Sequence, residues 1–205
     1  MPIQYNKIPG WFHASELYDM VVEKHKHDDN VAFVEIGSYF GRSSCYMMEL
    51  IKERDPSIHL DIIDPWIWNE FFTDINDRVQ VERIYRSDEM NAEHRRVVEE
   101  VGKDPYKIFH HYLDPTELLC SDNIDIIQDT SEHSIVRYDD KSLDFVYIDG
   151  DHSFDVVRRD IELYMPKIKD GGIISGDDYN CVGPLVDSIL GDVTIIDTKT
   201  WMKIL

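Results

Sequence analysis

The stretch FVEIGSYFGRSS, residues 33–44, joins the end of an apolar run to two glycines and a polar segment. The apolar run 31–37 predicts a buried β-strand, and residues 41–55 have the periodicity of a helix. Gly37 and Gly41 predict a turn between them in which the backbone can approach a ligand closely. The free N–H groups at the start of the helix would face the same ligand. The stretch therefore predicts a strand, a ligand-binding turn and a helix in succession.

The same alternation of strand-like and helix-like segments continues along the chain. Further strands are predicted at 58–66, 123–131, 142–150, 171–178, 193–197 and 200–205, the last two as a hairpin. Further helices are predicted at 15–26, 153–168 and 183–192. This pattern favours an α/β fold with a mainly parallel sheet, in one domain spanning residues 1–205. Residues 67–122 fit it poorly and predict a helical insertion between strands two and three. That insertion is either a lid over the strand ends or an ordinary pair of packing helices.

Composition excludes several classes of protein. The net charge of −20 argues against binding to nucleic acid, because such a chain repels phosphate groups. No apolar stretch reaches the ~20 residues that a membrane helix needs, and the N-terminus lacks the apolar region of a signal peptide. Cys45, Cys120 and Cys181 are far apart and form no C-x-x-C motif. They predict a reduced, cytoplasmic protein without disulfides or structural zinc.

The glycine turn carries a carboxylate, Glu35, in the pattern E-x-G-x-x-x-G. A dinucleotide site has G-x-G-x-x-G, but here Ser38 and Tyr39 follow the first glycine. A carboxylate at this place suits an ammonium group better than a diphosphate. A second acid, Asp64, ends strand two, where it can accept hydrogen bonds from ribose hydroxyls. A nucleoside with a cationic amino-acid tail meets both requirements, which points to S-adenosyl-L-methionine.

Two later strands also end in acids. Strand four ends at Asp149, and strand five is followed by Asp177 and Asp178. If these parallel strands are neighbours, the three carboxylates converge and repel each other unless a cation joins them. Oxygen ligands select hard cations such as Mg²⁺, Mn²⁺ or Ca²⁺. The alternative is a turn in which aspartates accept hydrogen bonds from free backbone N–H groups.

Taken together, these motifs resemble those of class I S-adenosylmethionine-dependent methyltransferases. The segment LDFVYIDGDHSFDVVRRDIELYMPKIKDGGIISGDDY, residues 143–179, resembles the metal-dependent O-methyltransferases of the macrocin and novobiocin sugar-tailoring type, and more distantly the catechol type. The similarity extends over nearly the whole chain, is strongest over 31–66 and 142–179, and is weakest over 67–122. It implies a Rossmann-like fold with seven mostly parallel strands and helices on both faces.

The resemblance also implies roles for individual residues. The methionine end of the cofactor would contact Glu35, Gly37, Ser38 and Gly41. Ser43 and Asp149 would also contact the cofactor. The nucleoside would contact Asp64, Pro65, Trp66, Asp129, Thr130 and Ser131. A magnesium ion would be held by Asp149, Asp177 and Asp178. Trp66 has a second interpretation as an ordinary core aromatic, because buried aromatics are common.

Two residues are candidates for the base that removes a proton from the acceptor. Asp151 matches a base proposed for the sugar-tailoring enzymes, and His152 stands where catechol-type relatives have a lysine. His152 is alternatively a helix cap or a hydrogen-bond partner that orients an acid.

The predicted function is cation-dependent O-methylation of a small hydroxylated acceptor, such as a sugar, with a homo-oligomer as one expected assembly. Trp66, Trp68, Phe71 and Phe72 either cover that acceptor or form the core of the insertion. The alternatives are a non-catalytic S-adenosylmethionine-binding module and a nicotinamide-dependent oxidoreductase.

Overall fold

The computed structural model describes residues 5–67, 92–102 and 104–205. These contain seven strands: β1 Ala32–Ile36, β2 His59–Ile63, β3 Ile124–Ile127, β4 Leu143–Ile148, β5 Ile168–Gly176, β6 Thr194–Ile195 and β7 Trp201–Ile204. The helices are α1 Ser15–His25, α2 Arg42–Arg54, α3 Ala92–Val101, α4 Pro105–Leu113, α5 Ser131–Ser134, α6 Phe154–Tyr164 and α7 Tyr179–Leu190.

The strands form one sheet in the order β3-β2-β1-β4-β5-β7-β6. Strands β1 to β5 pair in parallel, whereas β7 runs antiparallel to both β5 and β6. The predicted Rossmann-like fold with a mostly parallel seven-stranded sheet is confirmed. The predicted hairpin at the end of the chain is present as β6 and β7.

Helices cover both faces of the sheet. Alternate strand residues point to opposite sides, and the apolar residues on each side are buried in a core of their own. Phe33 and Phe145 belong to the core beneath α1 and α2, and Val34 and Val146 to the core beneath α6 and α7. Every residue of β4 is buried, as expected for a central parallel strand covered on both faces.

The fifth strand begins earlier than predicted, so that Gly171 and Gly172, the first residues of the predicted strand 171–178, lie inside it. β5 already begins at Ile168, and its register with β4 shifts between Leu143 and Phe145. Gly171 has a φ of +81°, which glycine adopts without steric cost. The start of the predicted strand is therefore an irregularity within a longer strand, of the kind that glycine permits.

Other element ends differ from the predictions for local reasons. β2 and β3 end at Ile63 and Ile127, earlier than expected. After β3, the Thr130 hydroxyl accepts the backbone N–H of His133 at 3.2 Å and caps α5. Polar residues that the alternation placed in a strand thus begin a helix instead. α7 begins at Tyr179, before the predicted start.

Helices α3 and α4 lie between β2 and β3, within the predicted helical insertion 67–122. Residues 68–91 of it, including Trp68, Phe71 and Phe72, lie outside the described residues. Phe109 and Leu113 of α4 are buried in the same core as α1 and α2. No helix in the described ranges is both long and apolar enough to cross a membrane.

Candidate functional site

A cavity of about 340 Å³ opens at the carboxyl ends of β1, β2 and β4. Ligands bind at this edge in open α/β sheets, where the strand order reverses, and the volume suits a small molecule. Of the predicted site residues, Gly37, Asp64, Pro65, Trp66, Thr130, Ser131, Asp149 and Asp151 line it. The lining does not include Glu35, Ser38, Gly41, Ser43, Asp129, His152, Asp177 or Asp178.

The two glycines of the β1–α2 turn have different tasks. Gly37 has a φ of +87°, and a Cβ on it would lie 2.2 Å from the carbonyl oxygen of Asp149. Gly41 has a φ of +90°, and a Cβ on it would lie 2.7 Å from Leu113 and 2.9 Å from Phe109. Gly37 therefore lets the turn contact the end of β4, whereas Gly41 makes room for α4 rather than for a ligand.

Asp64 holds the glycine turn in shape. Its Oδ2 accepts the backbone N–H groups of Ser38 and Tyr39 at 2.8 and 2.9 Å, and its Oδ1 accepts that of Trp66 at 2.7 Å. Burial raises the pKa of Asp64, while the three N–H donors oppose that rise. A carboxylate has about four acceptor positions, so these bonds leave little capacity for a ribose. Asp64 is thus a structural residue of the turn, and its contact with a ribose stays a prediction.

Trp66 combines the two interpretations that its sequence position allowed. It is buried, and its ring packs against those of Phe109 and Tyr106 at centroid distances of 4.8 and 5.1 Å. Its Nε1 donates a hydrogen bond to the carbonyl oxygen of Tyr39 at 2.8 Å. The residue nevertheless lines the cavity, so it is both a core aromatic and part of the wall.

Glu35 lies beneath the turn, on the face of the sheet that α1 and α2 cover, and is 2% exposed. Its carboxylate accepts hydrogen bonds from Tyr18 Oη at 3.2 Å and Ser44 Oγ at 2.6 Å. Burial raises the pKa of Glu35 to about 7, although hydroxyl donors, including that of Ser43, oppose the rise. A buried acid with hydroxyl partners would be stabilised by a nearby cation.

The far end of the cavity contains an acid that the sequence analysis missed. Asp160 of α6 lines the cavity, is 1% exposed, and accepts a hydrogen bond from Ser131 Oγ at 2.5 Å. Burial raises its pKa to about 6. Val156 lines the cavity one helical turn earlier, so helical periodicity gave a weak signal for this face. Asp129 instead accepts the backbone N–H of Thr130 at 2.8 Å.

The three predicted metal ligands follow neighbouring strands, because β4 and β5 pair in parallel. Burial raises the pKa of Asp149 well above its ordinary value, and the charges of Asp177, Glu35 and Asp178 add to the rise. Burial also raises the pKa of Asp177, whose Oδ1 is buried without a hydrogen-bond partner. An orphaned carboxylate oxygen beside two further carboxylates is an arrangement that a bound cation would satisfy.

Basic side chains of the protein lie near two of these acids, Asp177 and Asp178. Asp178 has a φ of +51° and precedes α7. Its Oδ2 lies 3.4 Å from His152 Nδ1, and its Oδ1 lies 3.5 Å from Lys199 Nζ. The charges of His13 and Lys199 both lower the pKa of Asp177. Sequence spacing gave no signal for His13 or Lys199, because distant loops bring them to the site.

The two candidate bases have different surroundings. Asp151 lines the cavity, and its Oδ1 accepts the backbone N–H of Ser153 at 2.7 Å. The side chain of His152 is 44% exposed and faces Asp178. The contact of His152 agrees with the alternative in which it orients an acid.

A second group of potential ligands lies elsewhere. Within the described ranges, the side chains of His59, Asp61 and Asp125 have ligand atoms within 4.8 Å of one another, and the trio after β4 and β5 does not form such a set. His59 begins β2 and Asp61 is paired with Asp125 of β3, towards the strand ends opposite the cavity. Both oxygens of Asp61 already have hydrogen-bond partners. Oδ1 lies 2.8 Å from His59 Nε2, and Oδ2 accepts the hydroxyl of Tyr138 at 2.6 Å.

Comparison with known proteins decides the family. A sequence profile described as "Methyltransferase domain" matches residues 34–179, which is more than half of the chain. The chain belongs to this methyltransferase family. The match extends from β1 to the start of α7 and includes both the glycine turn and the acids after β4 and β5. A comparison with curated protein sequences gives no match.

Solved structures of methyltransferases have the same fold. The O-methyltransferase NovP is 17% identical, with a TM-score of 0.64 over 93% of this chain and 78% of NovP. The calicheamicin methyltransferase CalS11 is 13% identical, with a TM-score of 0.57 over 93% of this chain and 77% of CalS11. A methyltransferase from Geobacter sulfurreducens is 12% identical, with a TM-score of 0.56 over 96% of this chain and 80% of its own. At these identities the likeness concerns the fold.

The methyltransferase assignment confirms the resemblance noted from the motifs. The protein is an S-adenosylmethionine-dependent methyltransferase, and the alternative of a nicotinamide-dependent oxidoreductase is set aside. The roles of individual residues within the methyltransferase site remain predictions.

Proposed function

We propose that this methyltransferase transfers the methyl group of S-adenosylmethionine to a hydroxyl oxygen of a small polar acceptor, assisted by a divalent cation. The observation that carries the proposal is the set of three carboxylates after β4 and β5, beside the cavity. Asp177 Oδ1 is buried without a hydrogen-bond partner. Burial raises the pKa of Asp149, and the charges of Asp177, Glu35 and Asp178 raise it further.

The cofactor would occupy the cavity between the glycine turn and α6. Gly37 permits close approach of its methionine end, and the ribose would lie near Asp64. Ser131 and Asp160 would face the adenine, where a buried carboxylate can accept an N–H donor. The raised pKa of Glu35 supports a site for the cofactor ammonium above it, since a positive charge would stabilise the ionised form.

The chemistry of the donor set suits a hard divalent cation such as Mg²⁺, because it offers only carboxylate oxygens. Asp149, Asp177 and Asp178 would hold it. When bound, such an ion lowers the pKa of a coordinated hydroxyl and fixes its position. The sulfonium methyl is already activated, so the remaining task of the protein is to align the acceptor oxygen with it.

Methyl transfer forms a carbon–oxygen bond, breaks the carbon–sulfur bond and releases a proton from the acceptor. We assign Asp151 as the base that accepts this proton, because it lines the cavity and its Oδ2 is not used by the bond to Ser153. His152 would act on Asp178 instead, through the 3.4 Å contact. A base positioned in this way accelerates proton transfer by roughly 100-fold or more.

The acceptor is proposed to be a sugar or a related natural product. Another structure of CalS11 describes that protein as a TDP-rhamnose 3′-O-methyltransferase, and NovP is described as an O-methyltransferase. The motif over 143–179 resembles that sugar-tailoring group. We also infer a cytoplasmic location, because all three cysteines are unpaired and two of them are exposed.

Calorimetric titration with S-adenosylmethionine and S-adenosylhomocysteine tests the cofactor. Methyl transfer to a panel of sugars and nucleotide sugars, with Mg²⁺ or with a chelator, then tests the acceptor and the cation. We expect both cofactor forms to bind and turnover to require the metal. Cofactor binding without turnover on any hydroxylated compound would favour the non-catalytic binding module. Full turnover in chelator would remove the cation from the proposal.

A further inference from the structure

Lys199 is held next to the acid cluster by backbone contacts on both sides. The Asp197 carboxylate accepts the backbone N–H groups of Lys199 and Thr200 at 2.6 and 2.8 Å, which fixes the loop between β6 and β7. The carbonyl oxygen of Lys199 accepts the backbone N–H of Tyr179 at 2.8 Å. Because Tyr179 is the first residue of α7, the loop is joined to the helix directly after Asp178.

The side chain of Lys199 faces the carboxylates. Its Nζ lies 3.5 Å from Asp178 Oδ1, while the other oxygen of Asp178 lies 3.4 Å from His152. In a chain with a net charge of −20, this ammonium faces one of the three acids that follow β4 and β5.

A divalent cation held by Asp178 would compete with Lys199 for the same carboxylate. An oxygen that faces an ammonium group at 3.5 Å must give up part of that attraction to ligate a metal. Two cations on one carboxylate also repel each other, by an amount that falls with distance and solvent exposure. The ammonium and the metal therefore favour different states of the acid cluster.

We propose that Lys199 is a positioning residue that serves as the counter-ion of Asp178 while no divalent cation is bound, and that the cation displaces its contact on binding. This inference rests on the proposed cation dependence. It names Lys199 as one residue that sets the affinity of the site for the divalent cation. Lys199 offsets the charge of Asp178 before the metal arrives, and it lowers the affinity of the site for the metal that displaces this contact.

The test compares Lys199→Met with Lys199→Arg and with the matched variant Lys203→Met. Lys203 lies on β7, and its Nζ donates to the carbonyl oxygen of Asp192 at 2.7 Å. Replacing it with methionine changes the net charge by the same amount as Lys199→Met. Calorimetric titration with Mn²⁺ should show about tenfold tighter binding for Lys199→Met, and less than about twofold change for Lys203→Met. Lys199→Arg should stay close to the wild type.

Unfolding in chelator gives a second measurement that needs no turnover. Lys199→Met should unfold at lower denaturant concentration than Lys203→Met, and Mn²⁺ should restore more stability to it, because tighter binding to the folded state stabilises more. Equal Mn²⁺ affinities for both methionine variants overturn the role of Lys199 and leave the cation dependence standing. Failure of the wild type and all variants to bind Mn²⁺ overturns the cation dependence itself, and the displacement with it.

Discussion

A Cβ atom on Gly37 would lie 2.2 Å from the carbonyl oxygen of Asp149. This contact joins the turn after β1 to the end of β4, so the proposed cofactor loop and the first proposed metal ligand share one packing arrangement. Moving either backbone would move the other.

Gly37→Ala should therefore reduce both stability and cofactor affinity. Besides the clash, alanine would be strained at the φ of +87°, and we expect a loss of more than ~2 kcal/mol in the free energy of unfolding. Gly171→Ala is the matched control, because its φ is +81° and nothing lies within 4 Å of the added Cβ. It should lose only about 1 kcal/mol. Equal losses in urea unfolding would show that the contact with Asp149 contributes nothing.

The raised pKa of Glu35 predicts a pH-dependent stability. With an ordinary pKa of 4.5 raised to about 7 on folding, the folded state holds the proton more tightly. The contribution of this proton to the free energy of unfolding is therefore complete below pH ~4.5 and is lost as the pH rises through about 7. Glu35→Gln removes this dependence, so its stability relative to the wild type should improve by about 3 kcal/mol between pH 4.5 and 8. Denaturant unfolding at several pH values measures this; parallel profiles would contradict it.

Asp177→Asn should separate metal binding from folding. The buried Oδ1 of Asp177 has no partner in the described structure, so loss of its charge should not destabilise the metal-free protein. Mn²⁺ binding should become undetectable, and methyl transfer should fall by more than ~100-fold. Asp170→Asn is the control, because that β5 side chain is 93% exposed and pairs with Lys141. An Asp177→Asn protein with wild-type Mn²⁺ affinity would exclude this residue as a ligand.

Asp151→Asn and His152→Gln distinguish the two candidate bases. Asparagine keeps an oxygen for the backbone N–H of Ser153, so the start of α6 should remain intact while kcat falls by roughly 100-fold. His152→Gln should reduce kcat by less than about tenfold, because that side chain faces Asp178 rather than the cavity lining. The pH profile of kcat for both variants provides the measurement. A larger loss of kcat for His152→Gln than for Asp151→Asn would identify His152, and not Asp151, as the base.

The sequence predicted the sheet because buried parallel strands are continuous apolar runs, of which Leu143–Ile148 is an example. It also predicted the acids at the ends of β4 and β5, since strand ends follow from where those runs stop. It could not predict that Asp64 would accept three backbone N–H groups, because these bonds depend on the path of the folded turn. Lys199 and Asp160 were missed for a related reason, since only the packed hairpin and the orientation of α6 bring them to the site.

The bonds from Asp64 to Ser38, Tyr39 and Trp66 are complete within the protein itself. The turn is consequently preorganised, and at the proposed cofactor site little of the binding free energy would be spent on loss of backbone entropy there. On the proposed binding mode, S-adenosylhomocysteine would likewise dissociate without dismantling the turn, so that exchange of spent for fresh cofactor would leave this part of the enzyme unchanged between catalytic cycles.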